Sequence, residues 1–206
     1  SKKNYAGGYL FCPKAGKMDY LFDLDLTSLY PSIIMTINIG KETYVGRIID
    51  SDDRNNRLGY NDLKCMDYAE KMVVENKKRQ QTRVNVGRIV KMIEQNDLLI
   101  SANGVMYSKD RESVLSTILK KWFDERVKYK NAMKRAYKSG NKELGAAYHM
   151  KQYTMKILLN SLYGATALGS FRYGNVILSE SITLSGQRII QESALAANRA
   201  MNKEIK

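Results

Sequence analysis

The sequence predicts an α+β fold with short antiparallel strands in its first half, then a long antiparallel helical hairpin and one long C-terminal helix. Three observations carry that prediction. Residues 20–26, "YLFDLDL", are a short, mostly apolar run that reads as a central strand, with Asp23 and Asp25 on one face. Asn103-Gly104 separates two apolar runs in "LLISANGVMYS", the signal of a tight β-hairpin. From Glu112 onward, Leu115, Leu119, Trp122 or Phe123 and Val127 recur at three- and four-residue steps, which is helical spacing.

At 206 residues the chain can build one well-packed core or one large piece of a bigger one. Its 44% hydrophobic and 27% charged residues are ordinary for a globular protein. No apolar stretch approaches eighteen residues, so neither a membrane span nor a membrane partner is expected. The opening "SKKNYAGGYLF" has too short an apolar run for a signal peptide, and without an initiator Met it reads as trimmed or excised from a longer chain. Cys12 and Cys65 read as reduced cytoplasmic thiols. One His and two Cys make no zinc-type cluster, so any metal here is held by oxygen. The net charge of +13 is uneven: residues 101–160 hold 13 basic and 5 acidic side chains. Such a block points to a polyanionic partner, with a merely solvated basic face as the alternative.

In chain order, residues 5–20 predict an extended pair with a turn at "PKAGK", and 20–26 a central strand. "SLYPSII" predicts a turn into a short helix, with Pro31 in the first turn where its missing N–H costs nothing. "SDDRNNRLGYND" predicts a loop, residues 62–80 a helix, and 86–97 a short helix. The first arm of the hairpin runs from 112 to 138 and stops at Ser139-Gly140-Asn141. The second spans about 142–162 and breaks at "LYGATALGS"; a last helix covers about 176–203. Each arm is roughly 30 Å or longer at 1.5 Å per residue, which suits a projecting element.

Two groups of residues point to chemistry. Asp23 and Asp25 lie one residue apart and share a face if the segment is a strand. Adjacent carboxylates repel unless a cation lies between them, so the pair is either a divalent-metal site or half of one. On the hairpin, Arg126 and Lys130 share a face of the first arm, while Lys156, Asn160 and Tyr163 share a face of the second. Arg126 lies 14 residues before Gly140 and Lys156 lies 16 after it, at nearly the same height in an antiparallel pair. Three cations and an amide facing one way match a triphosphate, Arg as a planar fork and Lys as a point charge; solvated charges on two basic helices are the alternative.

"FDLDLTSLYPSII" and "KILLNSLYGATA" resemble the first two polymerase motifs of the family B DNA polymerases. The first carries Asp-x-x-Ser-Leu-Tyr-Pro-Ser at Asp25, Ser28, Leu29, Tyr30, Pro31 and Ser32. The second carries Lys-x-x-x-Asn-Ser-x-Tyr-Gly at Lys156, Asn160, Ser161, Tyr163 and Gly164. "YAGGYLFCPKAG" and "SANGVMYSKDR" resemble flanking segments of the same family, and the Asp-Leu-Thr-Ser form is closest to replicative polymerases of T-even-like bacteriophages. Residues 45–97 resemble nothing and read as an inserted segment.

The resemblance implies a partial palm at 1–110, a fingers hairpin at 111–165 and a palm helix at 166–206. It implies a DNA-directed DNA polymerase fragment that transfers dNTP to a primer 3′-OH on template DNA. Two Mg2+ ions would serve the complete enzyme, held here by Asp25 and the carbonyl of Leu26. Backbone N–H groups of Ser28 and Leu29 would hold the triphosphate, Arg126 and Lys156 its outer phosphates, and Lys130 and Asn160 would support them. Tyr30 would lie under the sugar and exclude a 2′-hydroxyl. Tyr163 and Gly164 would line the nascent base pair, while Tyr5, Gly7 and Gly8 would touch template DNA. Asp23 is not a usual carboxylate of the family and reads as an aspartate held by a nearby cation or N–H. The family's second metal aspartate sits in a Tyr-Gly-Asp-Thr-Asp-Ser hairpin that this sequence lacks, so a second chain or segment is expected to supply it. For a phage polymerase the location would be the host bacterial cytoplasm. The alternative is a non-catalytic basic nucleic-acid-binding module that keeps the scaffold.

Overall fold

The structure, a computed structural model, describes residues 7–10, 15–17, 25–49 and 57–204, with side chains as far as Met201. It is α+β, as expected. Strands β1 (Tyr44–Ile49), β2 (Lys71–Asn76), β3 (Gln81–Asn85), β4 (Leu99–Ile100) and β5 (Val105–Tyr107) form one antiparallel sheet in the order β3-β2-β1-β5-β4. Helices α1 (Leu29–Ile37), α2 (Tyr60–Cys65) and α3 (Val86–Gln95) are short; α4 (Val114–Lys138), α5 (Lys142–Thr166) and α6 (Val176–Glu204) are long.

Strand alternation splits the interior in two. On β5, Val105 and Tyr107 join a core with α1, α4, α5 and α6 that includes Ile34, Leu115, Leu119, Leu159, Leu178 and Ile182. Met106, between them, joins a second core with Ile48, Leu63, Met72 and the buried face of α3, Val86, Ile89, Val90 and Ile93. The turn before β5 contains Gly104 at φ 80°, where a Cβ would come within 3.1 Å of Ile48 and Leu58, so the expected Asn-Gly hairpin also closes the second core.

α4 and α5 have 25 residues each, about 37 Å at 1.5 Å per residue. Ser113 caps α4 and Asn141 caps α5, each through its side-chain oxygen, and Gly140 at φ 79° makes the reversal. The hairpin is held along its length by Tyr129 stacked with Tyr148 at 6.4 Å, with Lys151 over both rings. Nearer the tip, Tyr137 covers Gly145 so closely that a Cβ there would lie 2.6 Å from the ring.

The root of the hairpin is tied to α1 by Asn38, which is buried in the left-handed region at φ 56°. Its amide nitrogen donates to the carbonyls of Ser108 and Arg111, and its oxygen accepts from the Ser113 N–H. Ser116 donates its hydroxyl to the Ile34 carbonyl beside it.

Three expectations need correction. Residues 62–80 are not one helix: α2 ends at Cys65, and β2 and the turn into β3 follow. Lys and Glu give the stretch a helical composition, but Val73 and Val74 pair with β1, and cross-strand packing outweighs local propensity. The expected loop over 51–62 gives way to α2 at Tyr60, its earlier part lying outside the described residues. α5 continues about a turn past Leu162 to Thr166, whose hydroxyl donates to the Tyr163 carbonyl and meets Ser179 of α6. The pair expected over 5–20 and most of the strand over 20–26 lie outside the described residues; Asp25 and Leu26, its described end, are not in a strand. Cys12 is likewise outside them, and Cys65 is a free, exposed thiol.

Candidate active site

The first turn of α1 is the hub of the site. Ser28, which precedes it, sits at φ 54°, ψ 47°, a left-handed conformation that a non-glycine residue adopts at a cost. Its hydroxyl does not cap the helix. Instead it accepts from Nη1 of Arg126 at 3.1 Å, across 98 residues of sequence. The first bond of α1 runs from the Ser32 N–H to the Ser28 carbonyl, so the N–H groups of Leu29 and Tyr30 point out of the helix end and Pro31 has none to place. Nε of Arg126 is buried and lacks a hydrogen-bond partner among the described residues. A guanidinium with an unused donor beside open helix N–H groups is a ready anion site.

The expected partners are arranged unequally around this hub. The Tyr129–Tyr148 and Tyr137–Gly145 contacts fix the hairpin register, and extending it brings Arg126 level with α5 between Lys151 and Lys156. Lys130, Lys156 and Asn160 are exposed and make no hydrogen bond or ion pair among the described residues. Of these four residues, Arg126 is the one with a side-chain hydrogen bond to the α1 turn among the described residues.

Tyr30 is the second fixed point. Its ring stacks on Tyr163 of α5 with centroids 4.2 Å apart and 24° between planes. The ring also lies close to Gly186 of α6, where an added Cβ would stand 3.0 Å from Cε1. Its hydroxyl lies 3.2 Å from where a Cβ on Gly8 would stand. Gly7 is pinned beside it, its carbonyl accepting from Gln187 of α6 at 2.6 Å. The two expected DNA-contacting glycines thus border the expected sugar-contacting ring, while Tyr5 lies outside the described residues. Gly164 is exposed, with no atom within 4 Å of where a Cβ would be, which leaves its face of α5 open to a close-lying ligand.

Asp25 and Leu26 are both exposed, one residue from the Thr27–Ser28 turn. A carboxylate and an adjacent carbonyl are hard oxygen donors that suit Mg2+. Among the described residues no three His, Cys, Asp or Glu side chains form a metal-holding group, and Asp23 lies outside them. The donors present fit part of a two-ion site.

Sequence reasoning missed Gly186, Asn38 and the hydroxyl stripe of α6. Ser179, Ser181, Thr183 and Ser185 are all buried. Ser181 accepts from the Tyr107 hydroxyl at 2.8 Å and Ser185 from the Ala102 N–H, so the stripe fixes α6, and with it Gly186, against the sheet. Burial drives the Tyr107 hydroxyl pKa far up, which keeps it a neutral donor. The signal available was that Ser179, Ser181, Thr183 and Ser185 are interspersed with the buried Leu178, Ile182 and Leu184, with Glu180 the one charged residue among them.

The family model described as DNA polymerase family B matches residues 1–206. The chain is 29% identical over 176 residues to the DNA polymerase zeta catalytic subunit of Saccharomyces cerevisiae, covering 84% of this chain and 10% of that protein. It is 26% identical to the DNA-directed DNA polymerase of Escherichia phage RB69, covering 97% of this chain and 24% of the phage protein. These identities set no phage lineage above a eukaryotic one. Among solved structures, the family B DNA polymerase of the archaeon Pyrobaculum calidifontis superposes with a TM-score of 0.51 at 15% identity over 84% of this chain and 17% of that one. The chain spans a quarter or less of the length of these relatives.

Proposed function

The chain belongs to the family B DNA polymerases, and we propose that it forms the palm and fingers part of such an enzyme, adding a deoxynucleotide to a primer 3′-hydroxyl as a template directs. One observation carries this reading: Arg126 from the helical hairpin meets Ser28 at the open end of α1 and keeps a buried Nε–H in reserve. An incoming triphosphate would accept from that Nε–H and from the Leu29 and Tyr30 N–H groups. Lys156, level with Arg126, would neutralise the outer phosphates, with Lys130 and Asn160 supporting it. Tyr30, stacked on Tyr163 and close against Gly186, would form a rigid floor under the sugar with no space for a 2′-hydroxyl. Gly7, Gly8 and Gly164 would let template and nascent base pair approach closely, with Tyr5 beside them.

Asp25 and the Leu26 carbonyl would hold magnesium, with a second aspartate from another segment or chain. The bound ions would supply activation of the primer hydroxyl and neutralisation of the leaving pyrophosphate. The task of this chain's own cations is to hold the triphosphate in line and stabilise the charge that shifts onto the pyrophosphate. The non-catalytic alternative keeps the DNA contacts and loses this nucleotide site.

Equilibrium binding of dNTP, with and without primer–template, tests the reading. Charge-assisted hydrogen bonds are worth about 1.5–3 kcal/mol, so Arg126→Ala should weaken dNTP about tenfold or more. Arg126→Lys should recover only part, because it lacks the fork. Unchanged affinity in Arg126→Ala would remove the nucleotide site from this place.

A further inference from the structure

The segment that resembles nothing has a charge pattern of its own. Residues 71–91 contain seven Lys or Arg and one acid, Glu75. Glu75 is buried and bound to Arg47 and Gln81. The cations are all exposed, and apart from Lys71 they fall in two groups. Lys77, Lys78 and Arg79 form the β2–β3 turn, which Asn76 rigidifies by accepting from the Lys78 and Gln80 N–H groups, with Arg79 at φ 60°. Arg83, Arg88 and Lys91 line a cleft of about 570 Å3 between β3 and α3. Val74, Ile89 and Met92 contribute its apolar wall, Gln95 and Asn96 polar groups, and no carboxylate among the described residues lines it. None of the three cations forms an ion pair among the described residues.

Fold stability does not account for this arrangement. Charged side chains protect an exposed edge strand such as β3, but one or two suffice. Arg88 lies in the first turn of α3, where the helix dipole disfavours a cation and no acid compensates it. The first N–H groups of α3 are already bonded, Val86 to the Glu70 carbonyl, Gly87 to the Tyr68 carbonyl and Arg88 to Asn85 Oδ1, so an anion here would be held by the side chains of the cleft. Arg83 is four residues beyond Arg79, at most roughly 13 Å at 3.3 Å per residue, so turn and cleft can engage one extended polyanion at two points. β3 is three strands from β5, about 14 Å across the sheet, and faces away from the first core.

We propose that the β3–α3 cleft and the adjoining β2–β3 turn are a second DNA contact, seating the sugar–phosphate backbone through Arg83, Arg88 and Lys91, apart from the Arg126 site. This rests on the reading of DNA as the chain's substrate; the shape and charge of the cleft select the backbone rather than the bases.

The test is binding of the 206-residue chain to duplex DNA by anisotropy across a salt series. Each phosphate contact contributes about 0.9 to the slope of log K against log salt. The triple variant Arg83→Gln, Arg88→Gln, Lys91→Gln should lose about tenfold or more in affinity near 0.1 M salt and lower the slope by about 2–3. The matched removal of three cations at the hairpin tip, Lys134→Gln, Arg135→Gln and Lys138→Gln, should change the slope less. Arg88→Gln alone should lower it by about one, which covers misfolding of the triple variant, and dNTP affinity should not move in either cleft variant. Unchanged binding in the triple variant, or an equal loss in both triple variants, overturns the cleft while leaving the polymerase reading intact. So does polyglutamate of matched charge displacing DNA from the wild type but not from the cleft variant, since the cleft would then take an acidic polypeptide. Failure of the wild type to bind DNA at all would overturn both.

Discussion

The two faces of the sheet solve different problems with the same 206 residues. On one face, α1, α4, α5 and α6 pack with close tolerances and buried polar groups: Asn38 at three hydrogen bonds, the α6 hydroxyl stripe, and Tyr30 against Tyr163 and Gly186. On the other, α2 and α3 cover an aliphatic core of Ile48, Leu63, Met72, Val86, Ile89 and Ile93. The first fixes individual atoms, as the proposed site, which would place a phosphate and a sugar, requires. The second fixes only a layer, which leaves its surface free to carry charge. β5 joins the two, sending Val105 and Tyr107 one way and Met106 the other.

If the two cores are separable, the largest single effect comes from emptying the second. Ile89 is fully buried, and Ile89→Ala should cost about 2–5 kcal/mol in chemical denaturation. Amide exchange should speed in β2, β3 and α3 well before α1 and α6 are affected. Uniform acceleration across all helices would show one cooperative unit and erase the contrast.

Asn38→Ala attacks the first face. It strands the Ser113 N–H and two carbonyls and leaves alanine at a positive φ, so a loss of about 2–3 kcal/mol is expected. Because Asn38 joins the hairpin root to α1, dNTP affinity should fall with stability, whereas Ile89→Ala should spare it in molecules that remain folded. Equal effects of the two substitutions on dNTP affinity would contradict the division of labour.

Tyr30→Val, in an enzyme complemented with the second aspartate segment, should reduce discrimination against ribonucleotides by about tenfold or more, ~1.4 kcal/mol in barrier difference. Unchanged discrimination would place the sugar elsewhere. The smallest effect is one of pH. Hydrogen bonds from Arg47 and Gln81 hold the Glu75 carboxyl below its ordinary range. Its contribution, at most about 1 kcal/mol, is therefore complete above the unfolded carboxyl pKa near 4.3 and disappears as pH falls through the lower folded value. Glu75→Gln should flatten that acid limb for the second core.

The sequence was most legible where short-range rules decide. Asn103-Gly104, the Ser139-Gly140-Asn141 stop and the apolar period of α4 each specify their element locally. The 62–80 stretch was not legible, because Lys71, Glu75 and Lys77 look helical until β1 is there to pair with Val73 and Val74. The buried α6 hydroxyls went unnoticed for a related reason: a hydroxyl that bonds back to its own helix, as Ser181 does to the Ile177 carbonyl, is buried at little cost, and no local pattern marks it. The Arg126–Ser28 contact spans 98 residues and depends on a left-handed Ser28, which no local pattern announces.

The central claim is that this chain carries one half of a two-metal polymerase site and the whole of its nucleotide grip. Templated primer extension measures it most directly, with the purified chain alone, with an added segment bearing the second aspartate, and with the Asp25→Ala variant plus that segment. The account predicts dNTP and DNA binding without extension in the first case, extension in the second, and its abolition in the third. Robust extension by the chain alone, or by the complemented Asp25→Ala variant, would contradict it.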